Sequence, residues 1–347
     1  MVPRKRLLIG AVVADMVDAD QCKGFDPLPR LSIGIPVFNG QEFLPGLLES
    51  LLAQTFRDFE ILICDNASSD RTPEICREYG QRDSRIHYIR NERNLGAIEN
   101  FNRVFAFATA PLFKWAAHDD VHHELYLETC VRVLDDNSDI VLAHTGTAFI
   151  DEKGEILPLE QETGSFVDPR SGKRYWADGP GIGDTPVAAE RFWQVLTRAR
   201  WGTHMFGVIR HGALQQTSLL PKFAGSDRAM LAELALLGRF RCASEPLFFK
   251  RLHTNVSYAL GHKELKAFLS TDGRYYSRRL RQMKAFFGAS RGKPISGLSK
   301  AVCFILVAVH SARVAIQFVT QGDPRTAAHG YGWSGPLARW PRWRTPG

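Results

Sequence analysis

The stretch FKWAAHDDVHH, residues 113–123, places two adjacent carboxylates, Asp119 and Asp120, and three histidines behind an apolar, aromatic run. Paired carboxylates facing a crevice suit a hard divalent cation that keeps open positions for phosphate oxygens. The alternative is a turn or N-cap pair that opens the next helix. His118, His122 and His123 raise a second metal chemistry, that of a metal-dependent phosphohydrolase whose ligands include histidine. The strand-like context opposes it and makes His122 and His123 exposed residues at the start of the following helix.

Similar polar residues close three earlier apolar runs. Asn39 and Gly40 follow LSIGIPVF, Asp65 and Asn66 end and follow FEILICD, and Asn91, Arg93, Asn94 and Gly96 follow the start of RIHYIRN. Asp65 could accept the imino N–H of a uracil-like base, and Arg93 could pair with phosphate. Each alone is an ordinary turn residue. Their recurrence after successive runs is informative, because one nucleotide could touch them all.

The intervening segments explain how such residues would come together. EFLPGLLESLLAQTF puts Leu44, Leu47, Leu48, Leu51 and Leu52 on one helical stripe. DRTPEICREYG offers Thr72 as N-cap, Pro73 in the first turn and Gly80 as a stop. PLFKWAAHDD reads as a fourth strand, ELYLETCVRVLDDN as a helix and DIVLAHTGTAFID as a fifth strand. Short strands alternating with helices predict an α/β fold with a doubly wound, mostly parallel sheet flanked by helices. Ligands bind such sheets at the carboxyl ends of the strands, where these polar residues fall. Beyond Asp151 the pattern gives way to Gly- and Pro-rich loops, and helical periodicity resumes at AAERFWQVLTRAR and SDRAMLAELALLGRF.

Composition excludes several classes. With 44% apolar and 23% charged residues in 347, the chain has ample material for a core. Six dispersed cysteines without a CxxC pair argue against a disulfide scaffold and fit a reducing, cytoplasmic setting. The net charge of +7 equals the excess in residues 271–300 alone, where eight Lys or Arg face one acid, Asp272. The rest is near balance, so the sequence offers no basic face for nucleic acid. Asp15 and Asp18 interrupt the short apolar run after the basic start RKR, which argues against a secretion leader. AVCFILVAVHSARVAIQFV carries His310 and Arg313 and reads as a buried or interfacial helix rather than a membrane span.

Taken in order, SIGIPVFNGQEFLPGLLESLLAQTFRDFEILICDNASSDRT, NERNLGAIENFN and FKWAAHDD resemble the three linked signatures of family 2 glycosyltransferases with the GT-A fold. The resemblance runs from Leu31 to Asp151. It implies inverting transfer of a sugar from a nucleotide-diphosphate donor, with Mg2+ or Mn2+. Pro36, Val37 and Asn39 would line the nucleoside pocket, Asp65 would contact the base, and Arg93, Asn94 and Gly96 would continue the pocket. Asp119 and Asp120 match the family's metal motif, Asp120 as the direct ligand and Asp119 also toward the nucleotide. The chain departs from the pattern in having His118 at the motif's leading position.

The second half of the chain resembles the family in two places. GSDRAMLAELALLGRF places an acid before a helix and makes Asp227 the expected base, with Glu233 turned away as a structural residue. EPLFFKRLHTNVS resembles an Arg-x-His segment, in which His253 would reach the metal or the diphosphate and Arg251 would neutralise leaving-group charge. Trp201 is either a sugar-stacking platform on the acceptor side or a core residue. The expected organisation is an extension at 1–30, a nucleotide-sugar half at 31–151, an acceptor half at 152–260 and a basic, apolar helical region at 261–347. That last region, with its WSGPLARWPRW terminus, suggests contact with an anionic membrane surface, peripheral on its inner face. A glycolipid or polysaccharide acceptor in cell-envelope synthesis would follow. A phosphohydrolase and a non-catalytic sugar-nucleotide-binding protein are the competing readings.

Overall fold

All seven residues of β1 (Leu31–Val37) are buried, as a strand covered on both faces requires. The computed structural model describes residues 28–199, 202–253 and 278–321. β1 pairs in parallel with β2 (Phe59–Asp65), β2 with β3 (Ile86–Arg90), and β1 with β4 (Leu112–Trp115). Pro36 is tolerated in this central strand for a geometric reason. The β4 pairing ends at Gly34 and Trp115, so the N–H that Pro36 lacks would have pointed past the end of β4.

Three helices return the chain between these strands: α1 (Leu44–Leu52), α2 (Thr72–Arg82) and α3 (Ala97–Ala106). Leu44, Leu47, Leu48 and Leu51 of α1 are buried, as the stripe predicts, and Leu52 is partly covered. The limits of α2 differ from expectation. Thr72 is its first residue, not its cap: the Thr72 hydroxyl accepts the Gly40 N–H at 2.8 Å, and the Asp70 carboxylate accepts the Thr72 N–H at 3.0 Å. Gly80 lies inside the helix, which ends at Arg82.

After β4 come a two-residue β5 (Val121–His122), α4 (Tyr126–Asp136) and the long, wholly buried β6 (Ile140–Ile150). β10 (Val208–Arg210) inserts antiparallel between β4 and β6, and β11 (Arg239–Arg251) runs parallel to β6 with β5 antiparallel on its outer edge. The eight-stranded order is β3-β2-β1-β4-β10-β6-β11-β5, so the sheet is mixed but predominantly parallel. Three residues are too few for periodicity to reveal β10. A small second sheet, β7 (Leu159–Glu160), β8 (Ser165–Val167) and β9 (Arg174–Tyr175), packs Phe166 and Tyr175 on Phe149.

The remaining helices are α5 (Ala188–Arg198), the short α6 (His211–Leu214), α7 (Ser226–Leu237), α8 (Arg278–Gly288) and α9 (Gly297–Gln321). Among the described residues no helix is long and apolar enough to cross a membrane. One face of α9 is packed instead, with Cys303 and Val307 buried and the His310 ring edge-on to Trp193 of α5 and Phe286 of α8. Between α8 and α9, Lys293 donates to the Glu233 carboxylate of α7 at 2.9 Å, an ion pair buried at both ends. Glu233 also accepts the Ser218 N–H, so it is a structural residue.

Lys114 of β4 is fully buried; its ammonium donates to the Phe206 carbonyl and lies over the Tyr126 ring, 4.6 Å from the centroid. Burial pulls its pKa down from 10.5 to about 7, against the weaker opposing fields of Cys130 and Asp120. The unfolded chain therefore binds more protons between those two values. Unfolding free energy is expected to rise with pH across that window, by at most about 1.4 kcal/mol per unit. Lys114→Met should flatten this slope in denaturant melts repeated from neutral to alkaline pH; an unchanged slope would show that the ammonium is not the source.

Candidate active site

Two loops at the carboxyl ends of β1 and β2 are laced together. Asn39 sits in left-handed backbone with φ of 51°. Its N–H donates to Ser68 Oγ at 2.8 Å, and its side-chain oxygen accepts the Ser69 N–H at 2.9 Å. Asp65 is fully buried: one carboxylate oxygen accepts the Ser68 N–H at 2.8 Å, the other the Tyr88 hydroxyl at 2.8 Å and Arg90 at 3.2 Å. Both Asp65 oxygens are thus engaged inside the chain, and a base could reach Asp65 only by displacing Tyr88 or Arg90. Pro36 and Val37 lie buried on β1 beside these loops.

The third loop is held by an asparagine ladder. Asn66 accepts from Asn91 at 3.1 Å and from the Leu95 N–H at 2.8 Å while donating to Asn94 at 2.9 Å. Asn91 donates on to Asn100, which donates to the Cys64 carbonyl at 2.8 Å. Asn94 also accepts the N–H of Gly96, whose φ of 84° precedes α3. Arg93 projects, exposed, from this loop. Asn100 carries no strand-end signal, since it lies one turn inside a helix; only its polarity on the apolar face of α3 marks it.

Asp119 and Asp120 lie in a turn beyond β4, not on the strand itself, which ends at Trp115. Asp120 is fully buried, and its Oδ1 accepts the Arg251 N–H at 3.0 Å. Its Oδ2 has no hydrogen-bond partner, and Lys250 Nζ stands 3.9 Å away. Asp119 is partly exposed and its Oδ2 meets His253 Nε2 at 2.9 Å. Burial raises the Asp120 carboxyl to about 6, with the Asp119 charge adding and Lys250 opposing. Burial also works on Asp119, but the His253 hydrogen bond and the fields of His118 and Lys250 outweigh it and hold that carboxyl well below its usual range.

The donor set fits a hard divalent cation. A buried carboxylate oxygen without a partner is costly, and Asp120 Oδ2 is such an atom; the neighbouring residue Asp119 carries a second carboxylate, which meets an imidazole. Among the described residues no group of three acidic, Cys or His side chains stands close enough together to hold a metal ion by itself. Cations that take one or two carboxylates and complete their shell with substrate phosphates need none.

Two expectations change. Arg251 does not face a leaving group: it is buried and donates to the main-chain carbonyls of Asp119, Asp151 and Glu152 at 2.8, 2.9 and 3.1 Å. It clamps the carboxylate turn. His122 is not an exposed helix-opening residue but lies buried on β5 between Tyr126 and Phe248, with neither ring nitrogen bonded. Pairing with β11 places it there, a long-range contact that local sequence does not report. Only His123 serves the helix start, its Nδ1 accepting the Leu125 N–H at 3.2 Å. His118 packs on Gly40, where an added Cβ would come within 2.8 Å of the ring.

On the other side, Asp227 occupies the first turn of α7, half-buried. It leans over Gly202, whose φ is 63° and where an added Cβ would fall 2.1 Å from the carboxylate. Gly202 opens the Thr203–Phe206 turn, and the Phe206 carbonyl accepts from Lys114 and from the Tyr126 hydroxyl. Trp201 lies outside the described residues.

The family described as glycosyl transferase family 2 matches residues 32–221, more than half of the chain. The protein belongs to glycosyltransferase family 2. An uncharacterised glycosyltransferase of Methanocaldococcus jannaschii is 35% identical over 131 residues, covering 37% of this chain and 45% of that protein. The putative glycosyltransferase EpsE of Bacillus subtilis is 30% identical over 141 residues, 39% of this chain and 51% of EpsE. The chain therefore aligns with only about half the length of these relatives. Crystal structures of S. aureus TarS superpose with TM-scores of 0.55 for the UDP complex and 0.56 for the UDP-GlcNAc complex. At 14% identity these cover 86% and 85% of this chain and 73% and 77% of the TarS chains, and they establish the GT-A fold. None of these comparisons supports the phosphohydrolase reading.

Gly40 joins the first signature of this family 2 chain to the third. Gly40→Ala must displace His118 or Val37, whose Cγ2 would lie 2.6 Å from the new methyl. The expected cost is about 1–3 kcal/mol of unfolding free energy, read by chemical denaturation. A variant as stable as the parent would show that the His118 packing is loose.

Proposed function

We propose that the protein transfers a sugar, with inversion, from a nucleotide-diphosphate sugar to a hydroxyl of a cell-envelope glycan or glycolipid, with Mg2+ or Mn2+ as cofactor. The observation that carries this reading is the orphaned Oδ2 of Asp120, next in sequence to the Asp119 carboxylate that meets His253, in the turn beyond β4. TarS, which shares the fold, is seen with UDP and UDP-GlcNAc, and this supports a nucleotide donor here.

In this reading Asp120, Asp119 and His253 hold the cation, which when bound offsets the charge of the diphosphate leaving group. Arg251 fixes the turn that carries both carboxylates, and Lys250 supplies positive charge next to Asp120. Pro36, Val37 and Asn39 form the wall of the nucleoside pocket, Asp65 meets the base once Tyr88 or Arg90 yields, and Arg93, Asn94 and Gly96 continue the pocket toward phosphate. Asp227 accepts the proton of the acceptor hydroxyl as that oxygen attacks the anomeric carbon from the face opposite the departing diphosphate. Gly202 leaves the space that the Asp227 carboxylate occupies.

Three variants separate these roles. Asp120→Asn should weaken binding of UDP, GDP or dTDP in the presence of Mn2+ by calorimetry and lose transfer. Asp227→Asn should bind donor like the parent yet transfer at least about a hundredfold more slowly, as expected for loss of a general base. Gly202→Ala should lower turnover by a similar factor of about a hundred, through displacement of the Asp227 carboxylate, with donor affinity unchanged. Folded Asp120→Asn and Asp227→Asn variants that transfer at the parent rate would overturn the reading. Donor binding without transfer to any acceptor would identify a non-catalytic binding protein.

A further inference from the structure

The described C-terminal part, residues 278–321, contains eight Lys or Arg and not one Asp or Glu. Of the eight, Lys293 is spent on Glu233, while Lys284 and Arg291 are exposed. The outer face of α9 is apolar: Leu298, Phe304, Ile305 and Val309 are 78%, 59%, 59% and 51% exposed, and Leu280 of α8 is 70% exposed. At 100° per residue Leu298, Ile305 and Val309 fall on one line, opposite the buried Cys303 and Val307, and Ala301, Ala308 and Ala312 lie beside them. Phe304 flanks the line and packs on Phe287 of α8 with ring centroids 4.7 Å apart.

We infer that the α8–α9 hairpin is a docking face for an anionic lipid bilayer. The inference rests on the transferase reading only for what the docking is used for. An apolar row within a stretch, residues 278–321, that carries eight cations and no acid complements a surface that is negative at the headgroups and apolar beneath. A second copy of this chain would bring like charge against like charge. The segment beyond Gln321 adds Arg325, Arg339, Arg342 and Arg344 against Asp323 alone, so it too carries the wrong sign to cover the face. The hairpin touches the machinery directly: Gln282 of α8 donates to the Gly225 carbonyl at 3.4 Å, immediately before the turn of α7 that bears Asp227. Docking through α8–α9 therefore sets the Asp227 side of the protein against the bilayer, and the class of acceptor it selects is a hydroxyl carried on a membrane lipid.

Cosedimentation of the full chain with phosphatidylcholine vesicles, with and without phosphatidylglycerol, tests this. Binding is expected to anionic vesicles, weakening as salt rises. The variants Ile305→Ser/Val309→Ser and Lys284→Glu/Arg291→Glu, all at exposed positions, should each keep the parent melting temperature and bind at least about tenfold more weakly. Indifference of the parent to anionic vesicles, or variants that bind as well as the parent, would sink the inference. So would sedimentation showing a parent dimer that Ile305→Ser/Val309→Ser dissociates, because the face would then belong to a second copy. Calorimetry with UDP, GDP and dTDP, run alongside, keeps the two readings apart. Vesicle binding without nucleotide binding removes the transferase reading and leaves the docking face; nucleotide binding without vesicle binding does the reverse.

Discussion

Two adjacent carboxylates in a largely water-free turn repel each other and lose hydration, and the site is arranged around that cost. Asp120 is wholly buried and Asp119 partly so. β4 and the turn contribute the fields of Lys114, on Asp120, and of His118, on Asp119. Further compensation arrives from the end of β11 and the residues just after it: the Arg251 N–H bonds Asp120, Lys250 stands near its other oxygen, and His253 meets Asp119. The Arg251 guanidinium grips three carbonyls around the same turn. Titration follows as a property of the pair, with Asp119 held ionised and the burden of proton uptake shifted to Asp120. A bound cation would satisfy Asp120 Oδ2 without protonating it.

The sheet order follows from this need. For β11 to deliver Lys250, Arg251 and His253 to a turn that follows β4, its end must lie near that turn although β10 and β6 separate the two strands in the sheet. The two-residue β5 closes the gap, since Val121 and His122 continue directly from Asp120 and pair with Phe249 and Phe248. That pairing explains why His122 is buried. A polar ring with neither nitrogen bonded is unfavourable there, and burial keeps it neutral by lowering its pKa well below 6.5, with Lys114 adding to the effect. Lys114 acts in the opposite direction along the molecule: it ties the Phe206 carbonyl to β4 and so fixes the turn that starts at Gly202 beneath Asp227.

What could be read in the sequence is what depends on near neighbours. The buried strands β1, β2 and β6 announce themselves as apolar runs, and the α1 stripe as leucines at helical spacing. The three loops that gather at the strand ends were legible because each closes an apolar run, and the turn residues Asn39, Asp65, Asn66 and Asn94 all take part in their lacing. Contacts between distant segments were not legible. Arg251 has the composition of a phosphate-binding residue, and only its burial against the 119, 151 and 152 carbonyls reveals a clamp. Asn100 and Lys250 gain their roles from partners 36 and 130 positions away, Cys64 and Asp120. Thr72 looks like a cap because caps are local, yet its hydroxyl serves Gly40 across the loop.

Helix α7 shows how a local rule and a distant contact combine. Residues six apart on a helix are separated by about 240° around its axis. Asp227 and Glu233 therefore cannot share a site, and the structure gives them opposite surroundings. Asp227 hangs over Gly202, whereas Glu233 is closed into an ion pair with Lys293 from the α8–α9 connection. Removing either partner of a pair so buried leaves an uncompensated charge in the core, so the pair holds the C-terminal hairpin to α7 more firmly than an exposed bridge could. The helix is thus fixed through its middle by the basic hairpin while its first turn stays half-exposed.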